Sequence, residues 1–116
     1  MAYVDGYLIA MPKKNKAVYR RMAALGAKLW MDHGALDYKE CVGDDLDIKG
    51  VASFRKLLRL KPGETAVFSY IVYRSRAHRD AVNAKVMKDP RMKAPKTMPF
   101  EFKRMFFGGF KVLVSA

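Results

Sequence analysis

The chain has 116 residues, 51% of them hydrophobic, and carries 23 Lys and Arg against 11 Asp and Glu, a formal charge of +12. That length suits one domain, 1–116, and that apolar share suits a packed core, which excludes disorder as the main state. One cysteine excludes an internal disulfide and a thiolate zinc site, and no apolar run approaches the ~20 residues of a membrane span.

The opening stretch, MAYVDGYLIAMPKK, does not read as a secretory signal. Asp5 comes early, and the lysines follow the apolar run rather than precede it. Residues 3–11, rich in Tyr, Val and Ile, predict a strand that Pro12 ends. Residues 14–33 predict a helix, with Val18, Met22, Leu25 and Leu29 on one face. Gly26 inside it predicts close helix–sheet packing, and Gly34 is a natural left-handed stop. Residues 35–43 read as a second strand, followed by the acidic segment Asp44-Asp45-Leu46-Asp47. Ser53 can cap a short helix carrying Phe54, Leu57 and Leu58. Pro62-Gly63 is a turn, and residues 64–73, ETAVFSYIVY, form the clearest strand. Ser75 can cap a helix to Lys88, which Asp89-Pro90 stops. Residues 90–102 hold three prolines and read as an irregular excursion. Residues 104–114 read as the last strand.

This order predicts an α+β protein of the ferredoxin-like β-α-β-β-α-β kind. An antiparallel four-stranded sheet would carry two helices on one face, with an extra short helix between strands 2 and 3. The first and last strands would be neighbours. These strands do not alternate apolar and polar as a sheet with one wet face does. Ala66, Phe68, Tyr70 and Val72 back onto Val67, Ile71 and Tyr73, and Phe106 and Phe110 back onto Met105 and Phe107. Two helices cover one face only. The remaining apolar face predicts a homodimer through an identical sheet, burying about 2,000 Å² or more.

Six segments in order resemble the YbaA-like family of bacterial proteins of unknown function. They are YVDG at 3–6, ECVGDD at 40–45, GETAVFS at 63–69, RDAVNAKVMKDPRMK at 79–93, MPF at 98–100 and KRMFFGGF at 103–110. The resemblance spans nearly the whole chain. It implies a ferredoxin-like protomer in a dimeric α/β barrel, with no catalytic residues to carry over. That superfamily includes cofactor-free monooxygenases, haem enzymes and small-ligand sensors.

The residues offer three functional readings. The first is a dimeric small-molecule-binding domain, with or without monooxygenase-like activity. His78, on the face of Val82 and Val86, would line its pocket with Tyr7 and Tyr70. His33 is a further candidate, set where a helix end favours positive charge. The second is nucleic-acid binding. Residues 1–50 hold 8 basic and 7 acidic side chains, whereas residues 51–116 hold 15 and 4. Arg55, Lys56, Arg59, Arg74, Arg76, Arg79, Lys103 and Arg104 lie among aromatic residues there and would meet phosphates. The third is a structural or stress-related dimer. Glu40, Asp44, Asp45 and Asp47 match no calcium-loop spacing and read as a solvated loop, and Cys41 as a buried thiol. No metal and no cofactor is expected, nor a membrane partner, and the compartment expected is the cytoplasm. The pair Gly108-Gly109, with Phe110, lacks a following helix, so it is no phosphate loop. It reads as a strand feature, a bulge, a sharp coil or a close approach of another backbone, that shapes the barrel or dimer beside Gly6.

Overall fold

A computed structural model describes residues 2–93 and 95–116. Four strands form one antiparallel sheet in the order β2-β3-β1-β4. They are β1 (Tyr3–Pro12), β2 (Asp37–Val42), β3 (Glu64–Tyr73) and β4 (Met105–Lys111). The helices are α1 (Lys16–Asp32), the one-turn α2 (Phe54–Leu57) and α3 (Arg76–Lys88). The chain is therefore of the α+β class.

β1 and β3 pair over their whole length, from Tyr3 opposite Tyr73 to Pro12 opposite Glu64. β4 takes the other edge of β1 and β2 that of β3. α1 and α3 lie on one face of this sheet. Leu29, Val82 and Val86 pack there on Tyr3, Ile71 and Tyr73. Tyr19 and Ala23 pack on Ile9, Met11 and Val67, and Phe100 from the 90–102 excursion closes that end. Asn15 Nδ2 donates to the Pro99 carbonyl at 3.0 Å and ties the excursion to the start of α1. Ser53 and Ser75 cap α2 and α3 by accepting from the Arg55 and His78 amides.

Four details depart from the sequence reading. Of the expected α1 row, Leu29 is buried and Met22 packs against the core, but Tyr19 and Ala23 are buried in place of Val18 and Leu25. Tyr19 and Trp30 have larger faces to bury and polar ends that find partners on β2 and α3, at Glu40 and Asn83. Leu25 is left 37% exposed. Second, β4 ends at Lys111 rather than 114. Its partner β1 has run out there, and after the Val112 amide donates to the Ala2 carbonyl, Leu113 and Val114 stand exposed. Third, the glycine pair makes no bulge, since Gly108 and Gly109 face Gly6 and Asp5 in unbroken register. The pair provides space instead: a β-carbon on Gly109 would run into the Tyr3 ring, and Phe110 folds its ring over Gly6 and Gly108. Fourth, Cys41 is exposed, not buried, because it falls on the outer face of an edge strand.

That outer face is partly covered. Leu58 packs on Ala10 and Ala66, with Leu8, Leu46 and Leu60 around them. Beyond this patch Phe68, Phe106 and Phe110 remain roughly half exposed, at 49%, 48% and 62%.

Candidate ligand pocket

On β2, alternate side chains point to the helices. That places Tyr38 and Glu40 under α1, while Cys41 faces away. The Glu40 carboxylate is held at both oxygens. Tyr19 Oη donates to Oε1 at 2.6 Å from α1, and Tyr38 Oη donates to Oε2 at 2.7 Å from β2 itself. α1 comes this close because Gly26 leaves room. A β-carbon there would stand 3.0 Å from Tyr38 Oη.

Around Glu40 the sheet and α1 enclose a cavity of about 130 Å³. Its floor is Tyr7, Ile9, Ser69 and Ile71, and its walls are Tyr19, Trp30, Tyr38 and Glu40. Trp30, Tyr38 and Glu40 also border an outer groove of about 250 Å³ between α1 and the excursion. Met22, Leu25, Met98 and Phe102 make that groove largely apolar, with Lys93 on its border.

Burial raises the pKa of Tyr7, Tyr19 and Tyr38 above the ordinary tyrosine range. The Glu40 charge reinforces the shift in Tyr19 and Tyr38, and in Tyr7 the Asp5 charge acts before that of Glu40. All three are neutral phenols. Tyr19 and Tyr38 donate their O–H hydrogen bonds to Glu40, so their hydroxyls have only lone pairs left for the cavity.

A second polar centre lies beside the first. Asp5 on β1 is fully buried, and neither carboxylate oxygen has a hydrogen-bond partner among the described residues. Arg79 Nη1 is 3.7 Å away, and Asn83 and Tyr73 stand near without completing a hydrogen bond. Burial raises the Asp5 pKa, and Arg79, Asn83 and Tyr73 only partly oppose it. The Arg79 guanidinium lies 5.1 Å over the Tyr3 ring, and its Nη2 donates to Tyr3 Oη at 3.3 Å. Trp30 Nε1 donates to Asn83 Oδ1 at 2.9 Å. Asn83 thereby joins the cavity wall to the surroundings of Asp5.

Of the residues singled out from sequence, Tyr7 lies in the cavity. Tyr70 faces the opposite side of the sheet, its ring 6.2 Å from that of Phe68. His78 sits at the start of α3, where its Nδ1 accepts from the Arg74 amide at 2.9 Å. Burial and the Arg74 charge lower its pKa. His33, at the end of α1, is 2.7 Å from Asp89. Both histidines link helix ends to neighbours.

Among the basic candidates, Arg55 pairs with Asp47, Arg79 with Asp5 and Asp80, and Arg104 with Glu64. Lys56, Arg59, Arg74, Arg76 and Lys103 are exposed. The structure takes Glu40 out of the acidic segment with which the sequence groups it. Tyr19, Trp30, Asn83 and Asp5 were not singled out either. The i, i+2 alternation of Tyr38 and Glu40 and the 19-22-23-26-30 spacing on α1 are the signals that carry them. No group of three or more His, Cys, Asp or Glu among the described residues is placed to hold a metal ion.

This α+β chain, with its carboxylate-centred cavity between sheet and helix, belongs to a family of proteins of unknown function, DUF1428, whose model matches residues 2–102. It is 44% identical over 115 residues to the uncharacterized protein YbaA of Escherichia coli strain K12, with 98% of each chain covered. The proteins of that name from Escherichia coli O157:H7 and Shigella flexneri match to the same extent.

Proposed function

We propose that the protein is a homodimer that binds a small organic molecule in the cavity around Glu40. The observation that carries this reading is the held carboxylate. Two phenols from different elements fix one glutamate beside an open space, whereas a carboxylate needed only for solubility would sit in water. The cavity offers acceptors and aromatic rings, which supports binding. Its continuation into the apolar groove gives a ligand longer than the cavity somewhere to lie.

The dimer belongs to the same reading. The strand order, both long helices on one face and the open Phe68–Phe106–Phe110 surface support a ferredoxin-like protomer closed by a second sheet. Association with nucleic acid draws less support, because Arg55, Arg79 and Arg104 have carboxylate partners in the protomer.

A thermal-shift screen of a metabolite library on wild type and on Ser69→Leu tests the ligand claim. Ser69 is buried on the cavity floor, so a leucine there reduces the space. A ligand at about 100 times its Kd stabilises by about 2.7 kcal/mol. Compounds that raise the wild-type midpoint should leave Ser69→Leu unmoved. Hits that stabilise both proteins equally would place binding elsewhere and overturn the reading.

A further inference from the structure

We infer that the Glu40 cavity takes the head group of an organic cation, an amine or a quaternary ammonium, whose apolar remainder lies in the outer groove. This rests on the reading that the cavity is a ligand site. Three observations narrow the ligand class.

The first is charge. The chain holds 23 Lys and Arg, yet none is among the residues described as lining the inner cavity, and the one formal charge there is that of Glu40. An anionic head group would meet no counter-charge. The second is hydrogen-bond polarity. Tyr19 and Tyr38 commit their protons to Glu40, and Trp30 commits its N–H to Asn83. What these groups and Glu40 turn toward the space is lone pairs and rings, which favours a donor, and the Tyr7 and Ser69 hydroxyls beside them can accept as well as donate. The third is shape. Tyr7, Tyr19, Trp30 and Tyr38 surround the carboxylate, with the Trp30 and Tyr38 rings 6.3 Å apart and tilted by 47°. Ring faces and a carboxylate around a small space form the kind of cage that holds an alkylammonium.

A metal cation is a poorer fit, since it needs several oxygen ligands and the walls offer one carboxylate among rings. A cavity of about 130 Å³ admits a head of a few heavy atoms, which leaves the rest of a larger molecule to Met22, Leu25, Met98 and Phe102.

Trp30 is the only tryptophan and lies in the wall that the cavity shares with the outer groove, so its fluorescence reports these two joined spaces. The probes are choline, its neutral isostere 3,3-dimethylbutan-1-ol, the anion 3,3-dimethylbutyrate and hexyltrimethylammonium, titrated into the full chain. Choline should change Trp30 emission saturably and bind at least about tenfold tighter than the alcohol. Hexyltrimethylammonium should bind tighter again, by about fourfold for each methylene the groove buries. Glu40→Gln should erase the preference of choline over the alcohol, whatever it does to the binding of the alcohol itself. Equal binding of choline and the alcohol, or tighter binding of the anion, would overturn the cation claim and leave a ligand site of another kind. Silence of Trp30 to all four probes also overturns it. The broader reading survives that silence only where a library compound stabilises wild type and spares Ser69→Leu.

Discussion

Asp5→Asn probes the buried polar centre that backs the cavity. Asp5 is fully buried, its single charged partner Arg79 is 3.7 Å off, and neither of its oxygens is hydrogen-bonded among the described residues. Burial outweighs Arg79, so the folded pKa lies above the ordinary 3.8. Below that ordinary value both folded and unfolded chains hold the proton. As pH rises, the unfolded chain releases it first. The stability contributed by the group is therefore fully present below about pH 3.8 and lost as pH climbs through the raised value. Each unit of elevation corresponds to about 1.4 kcal/mol. Asparagine has the shape of the protonated acid and no charge to desolvate. Near neutral pH the variant should match or exceed wild type by on the order of 1 kcal/mol, with the gap closing in acid. Urea unfolding of both proteins near pH 4 and near pH 7 measures this. A loss of about 3–5 kcal/mol near pH 7, the effect of breaking a tight buried ion pair, would refute the reasoning.

Other outcomes follow from neighbouring geometry. Gly109→Ala pushes a β-carbon into the buried Tyr3 ring and should cost about 1–3 kcal/mol. Gly108→Ala meets Phe110 only at 3.6 Å and should be far milder, a contrast that urea midpoints resolve. Arg104 grips Glu64 through two nitrogens, at 2.6 and 2.8 Å, and also donates to the Leu58 and Arg59 carbonyls. Arg104→Ala should therefore cost about 3 kcal/mol by calorimetry. Arg104 lowers the Glu64 pKa, so the stability of this pair is present above 4.5 and lost as pH falls through the lowered value. In light scattering, wild type should show twice the 13.2 kDa protomer mass, and Phe68→Glu should return it to one protomer. A wild-type monomer at micromolar concentration would remove the dimer.

The strands and helices were legible because period and punctuation agreed. A ten-residue run with seven β-branched or aromatic residues made β3, and Asp89-Pro90 ended α3 where the backbone rule places the stop. The site was less legible. Tyr7 was readable as an inward strand tyrosine, but Glu40 stood beside three aspartates and looked solvated. Only pairing with β3, which sets Glu40 opposite Ser69, turns it inward. On α1 the expected row holds at Leu29, but Tyr19 and Ala23 take the places of Val18 and Leu25, because hydrophobicity alone ranks Leu25 above Ala23. The fold prefers the small residues Ala23 and Gly26, which let Tyr38 reach under the helix. Asp5 was hidden for a related reason, since nothing local announces that an aspartate between Val4 and Gly6 will be sealed by Arg79 from α3.

Native mass spectrometry tests the central claim most directly. Wild type and Ser69→Leu are equilibrated with a bacterial metabolite extract, exchanged into volatile buffer and weighed. The account predicts a small organic adduct on wild type, at up to one per protomer, that is absent from Ser69→Leu and weakened in Glu40→Gln. An adduct carried equally by all three proteins would contradict it.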